Sequence, residues 1–266
     1  MRNLPSVNAK YWLSLGAASI FGTNTGDFVA GYLHVGHLAG LPYLALLFGA
    51  IVLAARFSEQ SSVLYFWAAI ITVRTAATNV GDTFHDFHVP YSACLPFVLA
   101  LFAASVLLYK RVAGNSAKDG TMRVDAAYWL AMMLAGILGT IGGDFASFRL
   151  GLTPAGAALA VGIFVPVSIV WFARKGSLLD PVPYWTTVAL IRTAGTAAGD
   201  ALAQALRLSV STVVTGLIFA GLVLYFYGFQ STHRVRPATA AAARIRRGSP
   251  HSTRRRLPRA QRDPAP

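Results

Sequence analysis

Four tryptophans in this chain keep one fixed distance to four aspartates. Trp12, Trp67, Trp129 and Trp185 are each followed fifteen residues later by Asp27, Asp82, Asp144 and Asp200. An aromatic residue precedes each tryptophan (Tyr11, Phe66, Tyr128, Tyr184), and a glycine precedes each aspartate (Gly26, Gly81, Gly143, Gly199). A threonine stands four residues before each aspartate (Thr23, Thr78, Thr140, Thr196), itself preceded by a small residue: Gly22, Ala77, Gly139 or Gly195. Six positions held in register four times mark an internal repeat, which constrains the fold more than any local motif.

The copies are not equivalent. Eight residues before the aspartate, copies two and four carry Arg74 and Arg192, whereas copies one and three carry Ser19 and Gly136. The chain therefore also reads as two halves, with 117 residues from Asp27 to Asp144 and 118 from Asp82 to Asp200.

Each copy holds two apolar stretches. The first carries the motif, at about 11–32, 63–84, 127–148 and 184–206; the second falls at about 41–56, 90–109, 154–173 and 209–229. Pro42, Pro90 and Pro154 stand near the start of three second stretches, as suits a helix first turn. All eight are near the ~20 residues that cross a bilayer. Overall, 55% of residues are hydrophobic and 12% charged, with a mean hydropathy of +0.53, which excludes an ordinary soluble domain. The expected fold is an all-α membrane protein: eight transmembrane helices as four tandem, parallel two-helix repeats in two pseudo-symmetric halves. Lys and Arg gather at Arg2, Lys10, Arg56, Lys110–Arg123 and Arg174–Lys175, while the alternate loops carry only Arg149 and Arg207. By the positive-inside rule both termini are cytoplasmic and every motif helix runs outward. The sequence divides into a cytoplasmic N-terminus (1–10), repeat 1 (11–60), repeat 2 (61–112), a cytoplasmic linker (113–126), repeat 3 (127–180), repeat 4 (181–230) and a tail (231–266).

The net charge of +13 is concentrated in that tail, where ten arginines and one acid give +9 and leave +4 elsewhere. Rich in Pro, Ala and Ser and without an apolar period, the tail reads as disordered. Anionic lipid headgroups are its expected partner, and nucleic acid is not. Arg2 and Lys10 before an apolar run resemble a signal peptide, but that run carries the repeat motif. The single cysteine, Cys94, excludes an internal disulfide.

At ~1.5 Å per residue, Trp and Asp are ~22 Å apart on a helix. With each Trp in the inner aromatic belt, each Asp lies in the outer third of the membrane core. Thr four residues back shares the Asp face, and the Arg or Ser eight back roughly does. Gly and the small residue before Thr permit close helix approach. A charge near mid-bilayer costs about 2.5–3.5 kcal/mol on insertion scales, so the stripe must face the bundle interior or a wet cavity. Four aspartates and two arginines leave a net −2. That charge calls for protonation of two aspartates, for water, or for a bound cation, one divalent or two monovalent. Rings of Asp select cations, and protonatable carboxylates also relay protons. Asn24 and Asn79 line the same cavity or bridge helices. The path is enclosed by one chain or by a homodimer. In the contrasting structural reading, Asp82–Arg74 and Asp200–Arg192 are buried ion pairs that lock helix register.

His34, His37, His85 and His88, with Asp86, form a weaker candidate site for a transition metal on the outer side. The plainer reading makes them interfacial histidines, since the second half lacks them. Trp171 reads as a lipid-facing or belt aromatic.

The four copies resemble a bacterial family of repeat-of-unknown-function integral membrane proteins, often labelled uncharacterised membrane-anchored proteins. The resemblance rests on Trp12, Trp67, Trp129, Trp185 and the Thr-x-x-Gly-Asp elements and covers roughly residues 10–230. It implies a bacterial inner-membrane location and supplies no reaction. An enzyme is not expected. The Gly-x-Gly-Asp motif of aspartyl intramembrane proteases fails here, because Asn24, Asn79, Ile141 and Ala197 occupy the position of its first glycine. No Ser–His or His-Glu-x-x-His arrangement appears. A transporter or channel for a small cation is the function expected first, and a structural or sensory membrane protein second.

Overall fold

The computed structural model describes residues 4–58, 62–113 and 122–228. The expected Arg-rich tail and positions 114–121 of the expected linker lie outside the described residues. Among the described residues nine α-helices follow one another: α1 (Ala9–Asp27), α2 (His37–Phe57), α3 (Ser62–Asp86), α4 (Tyr91–Ala113), α5 (Ala126–Asp144), α6 (Thr153–Gly162), α7 (Phe164–Arg174), α8 (Pro181–Leu206) and α9 (Leu208–Val223). Single π-helical turns extend α1 (Phe28–Tyr32), α5 (Phe145–Arg149) and α9 (Leu224–Gly228).

Six helices among the described residues are long and apolar enough to cross a membrane: His37–Phe57, Val63–Asp86, Tyr91–Val112, Ala126–Arg149, Thr153–Arg174 and Leu208–Gly228. They are consistent with a multi-pass membrane protein. The other two expected stretches, α1 and α8, fall below that apolarity. Their inward faces explain it: Ser14, Ser19, Thr23 and Asn24 on α1, and Thr187, Arg192 and Thr196 on α8, are all buried.

Local chemistry sets the helix ends. The Asn8 side chain accepts from the Lys10 and Tyr11 amides (3.0 and 3.3 Å) to start α1, and Asp125 accepts from the Tyr128 amide (3.0 Å) to start α5. Pro42 does not open its helix as the sequence suggested; α2 begins at His37 and Pro42 lies inside it. α6 and α7 form one run with a break at Ile163, where Pro166 has no amide hydrogen to reach the Gly162 carbonyl. Each motif helix or its π extension is followed by a residue with left-handed backbone: His34 (φ 56°), His88 (φ 55°), Gly151 (φ 68°) and Arg207 (φ 67°).

The four motif helices form a closed ring. α1 packs on α3, α3 on α5, α5 on α8, and α8 back on α1. The remaining helices cover the ring from outside, each chiefly on the motif helix of the next copy: α2 on α3, α4 on α5, α6 on α8, and α9 on α1. Most of α3 and α5 is buried, whereas α2 is almost bare on its outer side. Cover by the succeeding copy ties each repeat to its neighbour, and the return of α9 to α1 closes the circle.

The small residues of the repeat form the ring's interfaces. A side chain at Gly26, Gly81, Gly143 or Gly199 would run into Thr78, Thr140, Thr196 or Thr23, in each case the motif threonine of the next helix. One turn earlier, Gly22 faces Arg74, Gly136 faces Ala77, Gly139 faces Arg192, and Gly195 faces Ser19. Small residues let backbones approach closely where lipid supplies no hydrophobic drive between helices.

Candidate functional site

Equivalent residues of the four motif helices meet in layers across the ring. At one end Tyr11, Phe66, Tyr128 and Tyr184 are fully buried. The Tyr128 and Tyr184 hydroxyls are 3.1 Å apart, Tyr11 is bonded to Tyr184, and Tyr11 and Tyr128 are 3.5 Å apart. Phe66 fills the fourth quadrant. Each ring of this layer also packs on the tryptophan of the next copy, with centroids at 5.7 Å (Tyr11–Trp67), 6.0 Å (Phe66–Trp129), 5.2 Å (Tyr128–Trp185) and 5.7 Å (Tyr184–Trp12). Trp12, Trp67 and Trp185 are therefore core residues, and Trp129 is partly buried. The aromatic belt expected of them is not formed, because neighbouring tyrosines draw the indoles inward. Trp171, in contrast, is exposed on the outer wall. An apolar groove of about 320 Å³ between α2, α3 and α5, lined by Leu44, Phe48, Val73 and Trp129, also lies on the flank rather than on the axis.

The threonine layer holds Arg74. Its Nη1 donates to Thr78 (2.9 Å) and Thr140 (3.1 Å), and its Nη2 to Thr23 (2.5 Å) and Thr196 (2.6 Å). One guanidinium within bonding distance of hydroxyls from all four motif helices lies on the ring axis. The Gly136 carbonyl accepts a further bond at 3.4 Å. Three of the hydroxyls spend their own hydrogen on carbonyls one turn back: Thr23 to Ser19, Thr78 to Arg74 and Thr196 to Arg192. Their lone pairs remain for the guanidinium.

Arg192, also fully buried, turns the other way and meets the Met132 sulfur at 3.2 Å, near the tyrosine layer. Neither arginine forms the ion pair with aspartate that the spacing suggested. Among the described residues the one ion pair joins His37 Nδ1 and Asp82 Oδ2 at 3.6 Å. An aspartate eight residues on is ~12 Å further along the axis, beyond the reach of an arginine side chain, whereas the threonines are one turn away.

The aspartates form the outermost layer. Asp27, Asp82, Asp144 and Asp200 are half-buried and lie within electrostatic reach of one another and of Arg74. Asp27 and Asp144 are the last α-helical residues before π-helical turns, while Asp82 and Asp200 lie inside uninterrupted helices. The alternation of Arg74 and Arg192 with Ser19 and Gly136 thus has a backbone counterpart, and π turns recur at functional sites.

Asn24 bridges helices. Its Nδ2 donates to Ser211 (2.6 Å) and Thr215 (3.4 Å) of α9, and its carbonyl accepts from Thr212 (3.2 Å). Asn79 is equally buried, beside Gly26 and Gly40. The histidines do not converge. His34, His85 and His88 are exposed, with His34 and His88 serving as left-handed helix ends, and His37 faces Asp82. Among the described residues no group of three or more His, Cys, Asp or Glu is arranged to hold a metal ion.

The aromatic residue before each Trp, the threonines with Arg74, and the aspartates thus form one axial stack, while the glycines and tryptophans of the motif pack neighbouring helices together. Residues 183–234 match the family model described as Repeat of Unknown Function (DUF347). The DUF347 match spans the fourth copy of the motif, including Trp185, Arg192, Thr196 and Asp200. A search of curated proteins finds no match, nor does a search of solved structures. Sequence reasoning used Tyr11, Tyr128 and Tyr184 only as markers of the repeat. Their placement directly before each Trp, with a phenylalanine in one copy, was the available signal of a shared layer.

Proposed function

We propose that this chain is an integral protein of the bacterial inner membrane that moves a small cation along the axis of its helix ring. In this reading all eight stretches span the bilayer, both termini are cytoplasmic, the tyrosine layer lies toward the cytoplasm and the aspartate layer outward. The Arg-rich tail touches anionic headgroups. The observation that carries the reading is the axial stack itself. Four aspartates, two arginines and four threonine hydroxyls sit at the centre of a bundle whose outside is apolar. Intramembrane ionisable residues cost several kcal/mol as a set, and packing alone does not require them. The half-buried aspartates form a collecting vestibule, and Arg74 closes the axis below it.

The closed threonine layer favours one rival, a structural or sensory membrane protein in which the stack only fixes helix packing. Flux measurements in proteoliposomes separate the two. With a panel of monovalent and divalent cations, wild type should conduct at least one, and Asp82→Asn with Asp200→Asn should lower that flux at least tenfold. Flux unchanged by both substitutions removes the aspartates from the path, and no flux of any cation leaves the structural reading.

A further inference from the structure

The threonine layer has the chemistry of a cation site with an occupant already in place. Four neutral hydroxyl oxygens, one from each motif helix, converge on a single positive group. At least three of them cannot donate inward, because their hydrogens are committed to carbonyls of their own helices. Toward the axis these three are acceptors only, and Thr140 accepts from Arg74 as well. Space for the occupant is provided by absence of side chains elsewhere: Gly22 lies against the Arg74 stem, and Gly136 leaves its carbonyl free to accept from Nη1. Copies one and three supply Ser19 and Gly136 at this position, so they add no further arginine to the ring. The ring accommodates one guanidinium.

We infer that the four threonine hydroxyls are a coordination ring for a weakly hydrated monovalent cation, and that Arg74 is its tethered occupant, closing the axis until it swings aside. The swing of Arg74 rests on the transport reading, whereas the binding ring does not. A ring of neutral hydroxyls with no carboxylate among them suits a monovalent ion better than a divalent one, whose sites usually include carboxylates, and among the described residues no group of three or more His, Cys, Asp or Glu is arranged to hold a metal ion. Arg192 does not compete for the ring, since it is turned toward Met132. The carboxylates one turn beyond the ring, Asp27, Asp82, Asp144 and Asp200, favour positive charge at its outer mouth.

The test uses the full chain with Arg74→Ser, the residue found at this position in copy one. Cys94, the single cysteine and 3% exposed, reports unfolding through a thiol-reactive dye. Guanidinium, potassium and choline chlorides are compared at equal ionic strength. The ring predicts that guanidinium and potassium raise the Tm of Arg74→Ser by about 3–6 °C over choline, the shift expected near tenfold the dissociation constant in a protein of this size. Wild type, its ring filled, should show no such difference. An equal response in wild type and variant overturns the inference, as does no response in the variant. Should Arg74→Ser yield no folded protein, Arg74→Lys carries the test. Its compact ammonium engages fewer of the four hydroxyls, and its Tm must rise more with guanidinium than that of wild type. In proteoliposomes Arg74→Ser should pass potassium at least tenfold faster than wild type, and external guanidinium should block it. A Tm response without flux supports the ring and contradicts the transport reading, whereas flux without a Tm response contradicts the ring.

Discussion

Gly26 of the first motif helix lies directly against Thr78 of the second: a Cβ there would sit 2.8 Å from the Thr78 Cβ and 2.9 Å from its Cγ2. The same contact recurs around the ring, so the glycine of each Gly-Asp pair sets how near the next threonine comes to the axis. Gly26→Ala should destabilise the protein by about 1–3 kcal/mol, the usual cost of overpacking. Gly139→Ala should cost more, since its Cβ would meet the Cβ of Arg192 at 2.5 Å and the backbone carbonyl carbon at 2.7 Å, atoms that no rotamer change can move. Gly16, with open space around it, is the control, and alanine there should stabilise the helix by about 0.5–1 kcal/mol. Denaturation in detergent, compared across the three variants, checks the order.

Tyr184 bonds both other tyrosines of its layer. Tyr184→Phe should therefore cost about 1–3 kcal/mol, because two buried hydroxyls lose a partner. Tyr128→Phe leaves the Tyr11–Tyr184 bond in place and should cost less. Urea titration of both variants decides this, and equal losses would count against the layer.

The bonds from Asn24 to Ser211 and Thr215 fasten α9 to α1. Asn24→Ala should raise amide hydrogen exchange in Leu208–Val223 while leaving α4 unchanged. Uniform loosening of all helices would show that the bond is not what closes the ring.

Much of this arrangement is legible in the sequence. The spacing from Trp to Asp identified all four aspartates, all four threonines and both arginines, and the helix bounds fall within a few residues of the apolar stretches. The order of packing was not legible. Hydropathy shows that α9 is apolar, but nothing in it says that α9 covers α1 and thereby closes a ring. One helix stripe carries both Arg74 and Asp82, which in the structural reading of the sequence makes them an ion pair. The actual partners of Arg74 come from all four motif helices, which only the ring brings together. The tryptophans read as belt residues because hydropathy cannot distinguish an indole at a lipid interface from one packed on a neighbour's tyrosine. Pro42 shows a related limit: it marks a helix region, not its first turn.

Among the described residues His34, His85 and His88 hold no shared ligand set with His37. Chelation with EDTA, or added zinc or manganese, should leave the Tm unchanged. A shift of several degrees on adding either metal would restore the histidine site.

In the proposed orientation the aspartate layer opens to the outer face of the membrane, while the threonine layer around Arg74 is closed. Single cysteines tested with a membrane-impermeant thiosulfonate, in a Cys94→Ala background, address it most directly. Asp27→Cys and Asp144→Cys should label from the outer face only, while Thr23→Cys, at 1% exposed, should stay at least tenfold slower. Equal labelling of Thr23→Cys and Asp27→Cys, or no labelling of either aspartate position from outside, would rule out an open aspartate layer above a closed threonine layer.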